Sequence, residues 1–410
     1  MFDLKTNSFT TVFTCPDCGC KFGQAVGWTF LGTHVIADCV CECCENKYFH
    51  TLPIGHAALF PISFSQKTLK TRFDDYIKGW LAAPLIDAVR TKKEVEREIL
   101  CSISKKSNNV ILLNCLDSCY GHVFLKLVNA QKYLNEFPEK QLIVIIPSSF
   151  EWMVPKGVAE IWKVEATLSD FNFIIKGLDA FIKKEILRFQ FVTLSDSPVH
   201  PDLSVINFKE YLKTDKFNLQ DFEKKPTTIS FILREDRFWL PTKIDSFLMQ
   251  LSISKGWMKW MKPYFVLKQN SLVRKLAKKI KQKSTTPISF YAAGIGKTGN
   301  LGDLIHDLRK ESINTTIELE WCELYSTTSI VIGIHGSNML IPTALSAGFI
   351  ELLPRYKLYN LTEDIAMNHK GRFMHFLGRF LDEFSSVELV AEHAVSIIKR
   401  FPLVKKNMEH

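Results

Sequence analysis

Apolar residues along this chain fall into short runs of strand length, separated by stretches with helical spacing. From Asn108 onward NNVILLNC, QLIVIIP and RFQFVTL read as strands, HVFLKLVNAQKYL and NFIIKGLDAFIKKEI read as helices, and VAEIWKV lies between them. Strand-length aliphatic runs alternating with amphipathic segments predict a mostly parallel sheet with helical crossovers. A polar stretch from Ser195 to Pro226 reads as a hinge. A second α/β series opens at Thr227 with TTISFIL and continues through PISFYAAG, a predicted helix over NLGDLIHDLRKES, then TTIELE and SIVIGI. Between Phe64 and Leu100 the periodicity is helical and is broken at Pro84.

The densest pattern is Ser329 to Pro354, SIVIGIHGSNMLIPTALSAGFIELLP. Ile330 to Ile334 predicts a buried strand, His335-Gly336-Ser337-Asn338 a tight turn, and Met339 to Ala347 a helix capped by Ser337 or Asn338. Gly348 stops that helix, and FIELL returns as a strand whose one charge is Glu351. Free N–H groups at such a helix start favour a phosphate, and a lone carboxylate at a strand end suits ribose hydroxyls. An ordinary βαβ unit with a capped helix fits the same residues.

The 410 residues are 46% hydrophobic and 23% charged, normal for a globular chain with room for two or three domains. No apolar run follows a basic N-terminal start, and no stretch of 18 uninterrupted apolar residues occurs, so the expectation is a cytoplasmic chain. The net charge of +9 comes from one place: Lys255 to Lys283 holds ten Lys/Arg and no acid, against 42 basic and 43 acidic side chains elsewhere. Trp257, Trp260, Tyr264 and Phe265 interleave with those lysines, a composition suited to an anionic membrane surface at the cytoplasmic face. It also suits a nucleic-acid backbone, the less favoured partner, or a solvated basic helix.

Seven of the eleven cysteines lie between Cys15 and Cys44. Cys15-Pro-Asp-Cys18 and Cys41-Glu-Cys43-Cys44 make two C-x2-C knuckles, whose thiolates converge on one tetrahedral Zn²⁺ in a structural zinc ribbon over residues 1–60. Cys20, Cys39 and Cys43 are extra, and Cys39 can replace Cys41. Metal-type spacing and an odd total favour a reducing compartment over disulfides.

Gly294-Ile-Gly296-Lys-Thr-Gly299 follows a predicted strand, opens a predicted helix and has Glu318 and Glu320 beyond it, which satisfies a dinucleotide fingerprint and leaves an NAD(P)-linked oxidoreductase open. Gly296-Lys297-Thr298 also ends like a phosphate-binding loop of NTPases, but Tyr291 stands where that motif needs its first glycine. Lys297 is a candidate phosphate contact in either case. Arg234 and Arg237 flank Glu235-Asp236 just after an apolar strand, where guanidinium forks suit a diphosphate, or form a local ion-pair cluster.

HGSNMLIPTALSAGFIELLP resembles the C-terminal signature of the glycosyltransferase family that includes plant xylan arabinosyl- and xylosyltransferases and the O-GlcNAc transferases of EGF-like domains and dystroglycan. NCLDSCYGHVFLKL, from Asn114 to Leu127, and ISFILREDRFW, from Ile229 to Trp239, resemble two further family segments in the family's order. The chain departs from the pattern at Ser337-Asn338, where the family has Ala-Gly, and at Lys126, where an acid often follows the histidine.

The resemblance implies an inverting enzyme of GT-B-like fold, with two Rossmann-like domains facing a cleft. Here they are an acceptor domain over 61–225 and a donor domain over 226–410, behind the zinc ribbon. It implies a nucleotide-sugar donor, a glycan or lipid-linked glycan acceptor, and no catalytic metal. Arg234, Arg237, Lys297, His335, Gly336, Ser337 and Asn338 would hold the donor phosphates and Glu351 the ribose. Asp117 would be the general base, with His122 positioning the acceptor; both also read as helix-capping residues. A non-enzymatic zinc-ribbon protein that binds nucleic acid or a partner is the remaining alternative.

Overall fold

A computed structural model describes residues 1–6, 12–21, 23–361, 365–366 and 373–408. The chain divides into two compact units, Met1–Pro201 and Asp202–His410, so the boundary falls ahead of the expected 225/226 division.

The first unit carries a six-stranded sheet in the order Phe2–Asp3, Phe191–Leu194, Asn109–Asn114, Gln141–Pro147, Glu160–Val164, Ile99–Ile103. Its four central strands are parallel, and both edge strands run antiparallel. VILLN and LIVIIP are buried on both faces, as strands covered on each side by crossovers must be. Asn109–Asn114 pairs on one side with the next strand in sequence and on the other with Phe191–Leu194, so the strand order reverses beside it. At such a switch point the loops leaving the carboxyl ends diverge and leave space for a ligand.

The cysteine region is a five-stranded antiparallel sheet, Gly23–Phe30, Val35–Cys41, Lys47–Thr51, Ser63–Ser65 and Thr71–Arg72. It runs past the expected end at residue 60, and it is not a separate module. Cys15, Trp28, Cys41 and Tyr48 share one buried core with Val110, Leu112, Ile143 and Trp162 of the parallel sheet. Phe2–Asp3 adds a strand to that parallel sheet as well. Pro84 begins the Ala83–Thr91 helix rather than breaking one, because a first-turn position needs no amide proton.

The second unit is a six-stranded, all-parallel sheet ordered Ile305–Asp307, Ile288–Ile295, Thr227–Arg234, Ile330–Ile334, Gly348–Leu353, Gly378–Asp382. Numbered within the unit this is 3-2-1-4-5-6, the Rossmann order, and its switch point lies between Thr227–Arg234 and Ile330–Ile334. The helix expected over NLGDLIHDLRKES is absent: Ile305–Asp307 is an edge strand, and the helix follows at Thr315–Ser326. Asn314 caps that helix by accepting from Ile317 N–H, and Glu318, Trp321, Cys322 and Tyr325 form its buried face. Met258–Lys283 is a 26-residue helix that buries Phe265, Val273, Leu276 and Ile280 and leaves its lysines outside.

Candidate active site and metal centre

Cys15, Cys18, Cys41 and Cys44 bring four Sγ atoms within 4.8 Å of one another. Cys15 Sγ lies 3.8 Å from Cys44 Sγ, and Cys18 Sγ 3.5 Å from Cys41 Sγ. A tetrahedron with zinc–sulfur bonds of about 2.3 Å has edges of about 3.8 Å, so the set fits one such ion. Burial alone would raise the Cys41 thiol, but the backbone N–H groups of Cys44 and Cys43 and neighbouring thiols bring it down to about 7. Cys39 does not join: burial pushes its thiol up to about 12, and its sulfur turns to Ala37 O at 3.7 Å. Against the expectation of thiols throughout, Cys20 and Cys43 are joined as a disulfide.

Asp117 and His122 come together at the carboxyl end of the switch strand of the first unit. Asn114 shapes the turn, donating to Gly32 O at 3.0 Å and accepting from Leu116 N–H at 3.1 Å. His122 Nδ1 lies 3.1 Å from Asp117 Oδ1, which also accepts from Cys119 N–H at 3.1 Å. Lys126, one helical turn after His122, places Nζ 2.8 Å from Asp117 Oδ2 and 2.9 Å from Leu116 O. Burial alone would raise the Asp117 carboxyl, but the Lys126 and His122 charges and hydrogen bonds hold it well below the usual carboxylate range. A carboxylate this committed is a poor base, and Asp117 orients the His122 ring through Nδ1, which turns Nε2 toward His56.

That Nε2 lies 3.3 Å from His56 Nε2, and the rings stand at 70° with centroids 4.4 Å apart. Burial, reinforced by His122, pushes His56 down to about 2, so it is neutral. Burial and the Lys126 charge push His34 down to about 4. These residues line a cavity of about 260 Å³ with Trp80, Ser118, Cys119 and Phe173. Sequence reasoning missed His34 and His56, which lie far from His122 along the chain. Lys126 stands at i+4 from His122, a spacing that puts both on one helix face.

In the second unit, Arg237 reaches from beyond the Thr227–Arg234 strand to the HGSN turn at the switch point. Its Nη1 donates to Asn338 Oδ1 at 2.9 Å and to His335 O at 3.3 Å. A Cβ on Gly336, whose φ is +147°, would fall 1.7 Å from Arg237 Nη1. The helix expected over Met339–Ala347 is shortened. Ser337–Met339 is a 3-10 turn, and Leu340–Leu345 is a buried six-residue helix with Pro342 inside it. Neither Ser337 nor Asn338 caps it, since Asn338 is held by Arg237 and donates to Ile334 O at 3.4 Å.

Glu351 is fully buried and its carboxylate engages His335 Nδ1, so it is an internal partner rather than a ribose acceptor. His335 is equally enclosed, which removes it from the phosphate contacts.

Arg234 is bidentate to Asp236 at 2.7 and 2.6 Å, as a local ion-pair cluster would be. With Lys262, Lys297, Glu235, Asp236 and Glu311 it lines an open cavity of about 420 Å³. The glycine loop at 294–299 does not serve as a dinucleotide cradle. No helix follows it, and Glu235 accepts Thr298 N–H at 2.6 Å while a Cβ on Gly296 would lie 2.2 Å from Glu235 Cγ. The chain's own carboxylate sits where a pyrophosphate would approach, and buried Arg309 pins the loop through Gly299 O at 2.9 Å. The oxidoreductase alternative loses its site.

No family model matches the chain, and no curated protein matches it. Among solved structures, the E. coli heptosyltransferase WaaC with ADP is similar over 70% of this chain and 98% of that one, at 8% identity and a TM-score of 0.32. A likeness that distant carries neither activity nor substrate to this chain.

Proposed function

We propose that this chain is a glycosyltransferase that moves a hexosyl or pentosyl group from a nucleotide-activated donor to a glycan acceptor, with inversion, in surface polysaccharide synthesis. The observation that carries the reading is the Asp117–His122 pair lining a cavity at a sheet switch point. A hydroxyl bound there loses its proton to His122 Nε2 as its oxygen forms the bond to the anomeric carbon. The bond to the nucleoside diphosphate breaks, and the leaving group departs with the electron pair. Asp117, held anionic by Lys126, stabilises the imidazolium that results.

In this reading Arg237 is the second unit's diphosphate contact, with Gly336 leaving room for its guanidinium and Asn338 fixing it. Arg234, Lys262 and Lys297 line the neighbouring open cavity together with Glu235, Asp236 and Glu311, and the reading calls for no catalytic metal. The four-thiol set holds a structural Zn²⁺ that fastens the N-terminal sheet to its core.

The surface near residue 260 supports the reading that the acceptor is lipid-linked and met at the cytoplasmic membrane face. Trp257, Trp260, Tyr264 and Leu267 form an i, i+3, i+7, i+10 stripe, all exposed, with Trp260 80% accessible. Lys255 and Lys259 are exposed among them. Phe265, counted with this set from the sequence, belongs to the core. Among the described residues no helix is long and apolar enough to cross a membrane.

The test is nucleotide release from a panel of UDP-, GDP-, ADP- and CMP-sugars, with and without glycan acceptors. One donor class should turn over, and His122→Ala should lower kcat about 10²- to 10⁴-fold. Full activity in His122→Ala would remove the base assignment, and no turnover of any donor would remove the sugar-transfer reading.

A further inference from the structure

Two of the three cysteines left over by the four-thiol set lie against it. Cys20, Cys41 and Cys43 form a second group with Sγ atoms within 4.8 Å of one another, and Cys41 belongs to both groups. Cys20 and Cys43 are bonded to each other. Cys43 is exposed and Cys20 half-buried, so a reductant in solution reaches the bond. Cys39, the remaining one, is buried and turned away onto Ala37 O.

We propose that the Cys20–Cys43 disulfide masks a second thiolate metal site, which takes a second thiophilic divalent ion of the zinc class once the disulfide is reduced. Sulfur keeps lone pairs after its first metal bond, so the Cys41 thiolate can bridge the ion of the four-thiol set and a neighbour. Cys20 and Cys43 then supply two further sulfurs. Three thiolates leave the fourth tetrahedral position to water, which makes the second ion exchangeable while the first stays enclosed.

The redox step balances with a phosphine reductant. The S–S bond breaks as two electrons pass from phosphorus to the sulfur pair; water supplies the oxygen of the phosphine oxide and the protons of the two thiols. Zinc binding then displaces those two protons. A cellular dithiol achieves the same reduction by becoming a disulfide itself. The metal content of the N-terminal sheet therefore reports its redox state.

The experiment counts zinc per full-length chain by elemental analysis, after gel filtration in zinc-containing buffer, with and without tris(2-carboxyethyl)phosphine. One zinc is expected without the phosphine and two with it, whereas the Cys20→Ser/Cys43→Ser double variant should hold one in both conditions. Retention of that one zinc shows that the variant still folds around the four-thiol set. In parallel, Co²⁺ replacing zinc should show sulfur-to-cobalt absorption that grows on reduction in the wild type and stays constant in the variant. A single zinc in the reduced wild type, or a second zinc persisting in the variant, would overturn the proposal.

Discussion

Arg237 occupies the space a side chain at Gly336 would need: a Cβ there would fall 1.7 Å from Arg237 Nη1. Gly336→Ala therefore displaces the guanidinium, and its φ of +147° adds backbone strain of about 1–3 kcal/mol. Loss of a charge-assisted contact worth about 1.5–3 kcal/mol weakens binding by about 10- to 160-fold. Isothermal titration of the cognate nucleoside diphosphate should show this loss in Gly336→Ala, matching Arg237→Ala. Undiminished affinity in Gly336→Ala would detach the turn from the donor site.

His335→Ala should act on stability before it acts on chemistry. The ring and the Glu351 carboxylate are both fully buried and paired, and removing one partner strands the other. Breaking a buried pair costs about 3–5 kcal/mol, readable as a lower urea midpoint at unchanged slope. A variant as stable as the wild type that fails only in nucleotide binding would return His335 to the phosphate contacts.

Stability should fall as the pH drops below about 6.5. Burial depresses His34 and His50 to about 4 and His56 to about 2, with the Lys126 charge adding at His34 and His122 adding at His56. In that window the unfolded chain binds protons that the native state does not, so each histidine contributes a loss of at most about 1.4 kcal/mol per pH unit. Asp117, held below its ordinary value, loses its contribution only at more acidic pH. Urea unfolding at pH 7 and pH 5 checks the sign, and a flat or rising stability would contradict it.

The stripe around Trp260 predicts co-sedimentation with vesicles containing anionic lipid and little with neutral ones. Each lysine near such a surface contributes about 1 kcal/mol. Trp257→Ala/Trp260→Ala should release the protein from vesicles while thermal stability stays within about 0.5 kcal/mol, because both rings are exposed. Equal binding to neutral and anionic vesicles would rule this surface out as an electrostatic anchor.

The two knuckles were legible because ligand spacing is local: four sulfurs at fixed short intervals converge once a hairpin forms. The strands VILLN, LIVIIP and IVIGI were legible because burial on both faces leaves them no polar position. The 294–299 loop carries a fingerprint without the site because Gly296 makes room for Glu235, which accepts from Thr298 N–H across 63 positions, a contact that no local pattern records. Glu351 is a similar case. A single carboxylate on an apolar strand looks like a ligand contact until its partner, 16 residues earlier, is found beside it. The proposal of His122 as base in place of Asp117 depends on Lys126, whose pairing with Asp117 comes from the fold and not from its spacing alone.

The central claim, a nucleotide-sugar donor site around Arg237, is tested most directly by thermal shifts of the zinc-loaded protein with UDP, GDP, CMP, ADP, ATP and NAD(H), repeated with Arg237→Ala. Binding to the native state raises apparent stability by about 2.7 kcal/mol at a ligand concentration one hundred times Kd. A shift is expected with one nucleoside phosphate, and it should disappear in Arg237→Ala. A shift with NAD(H) alone, or a nucleotide shift that survives in Arg237→Ala, would contradict the claim.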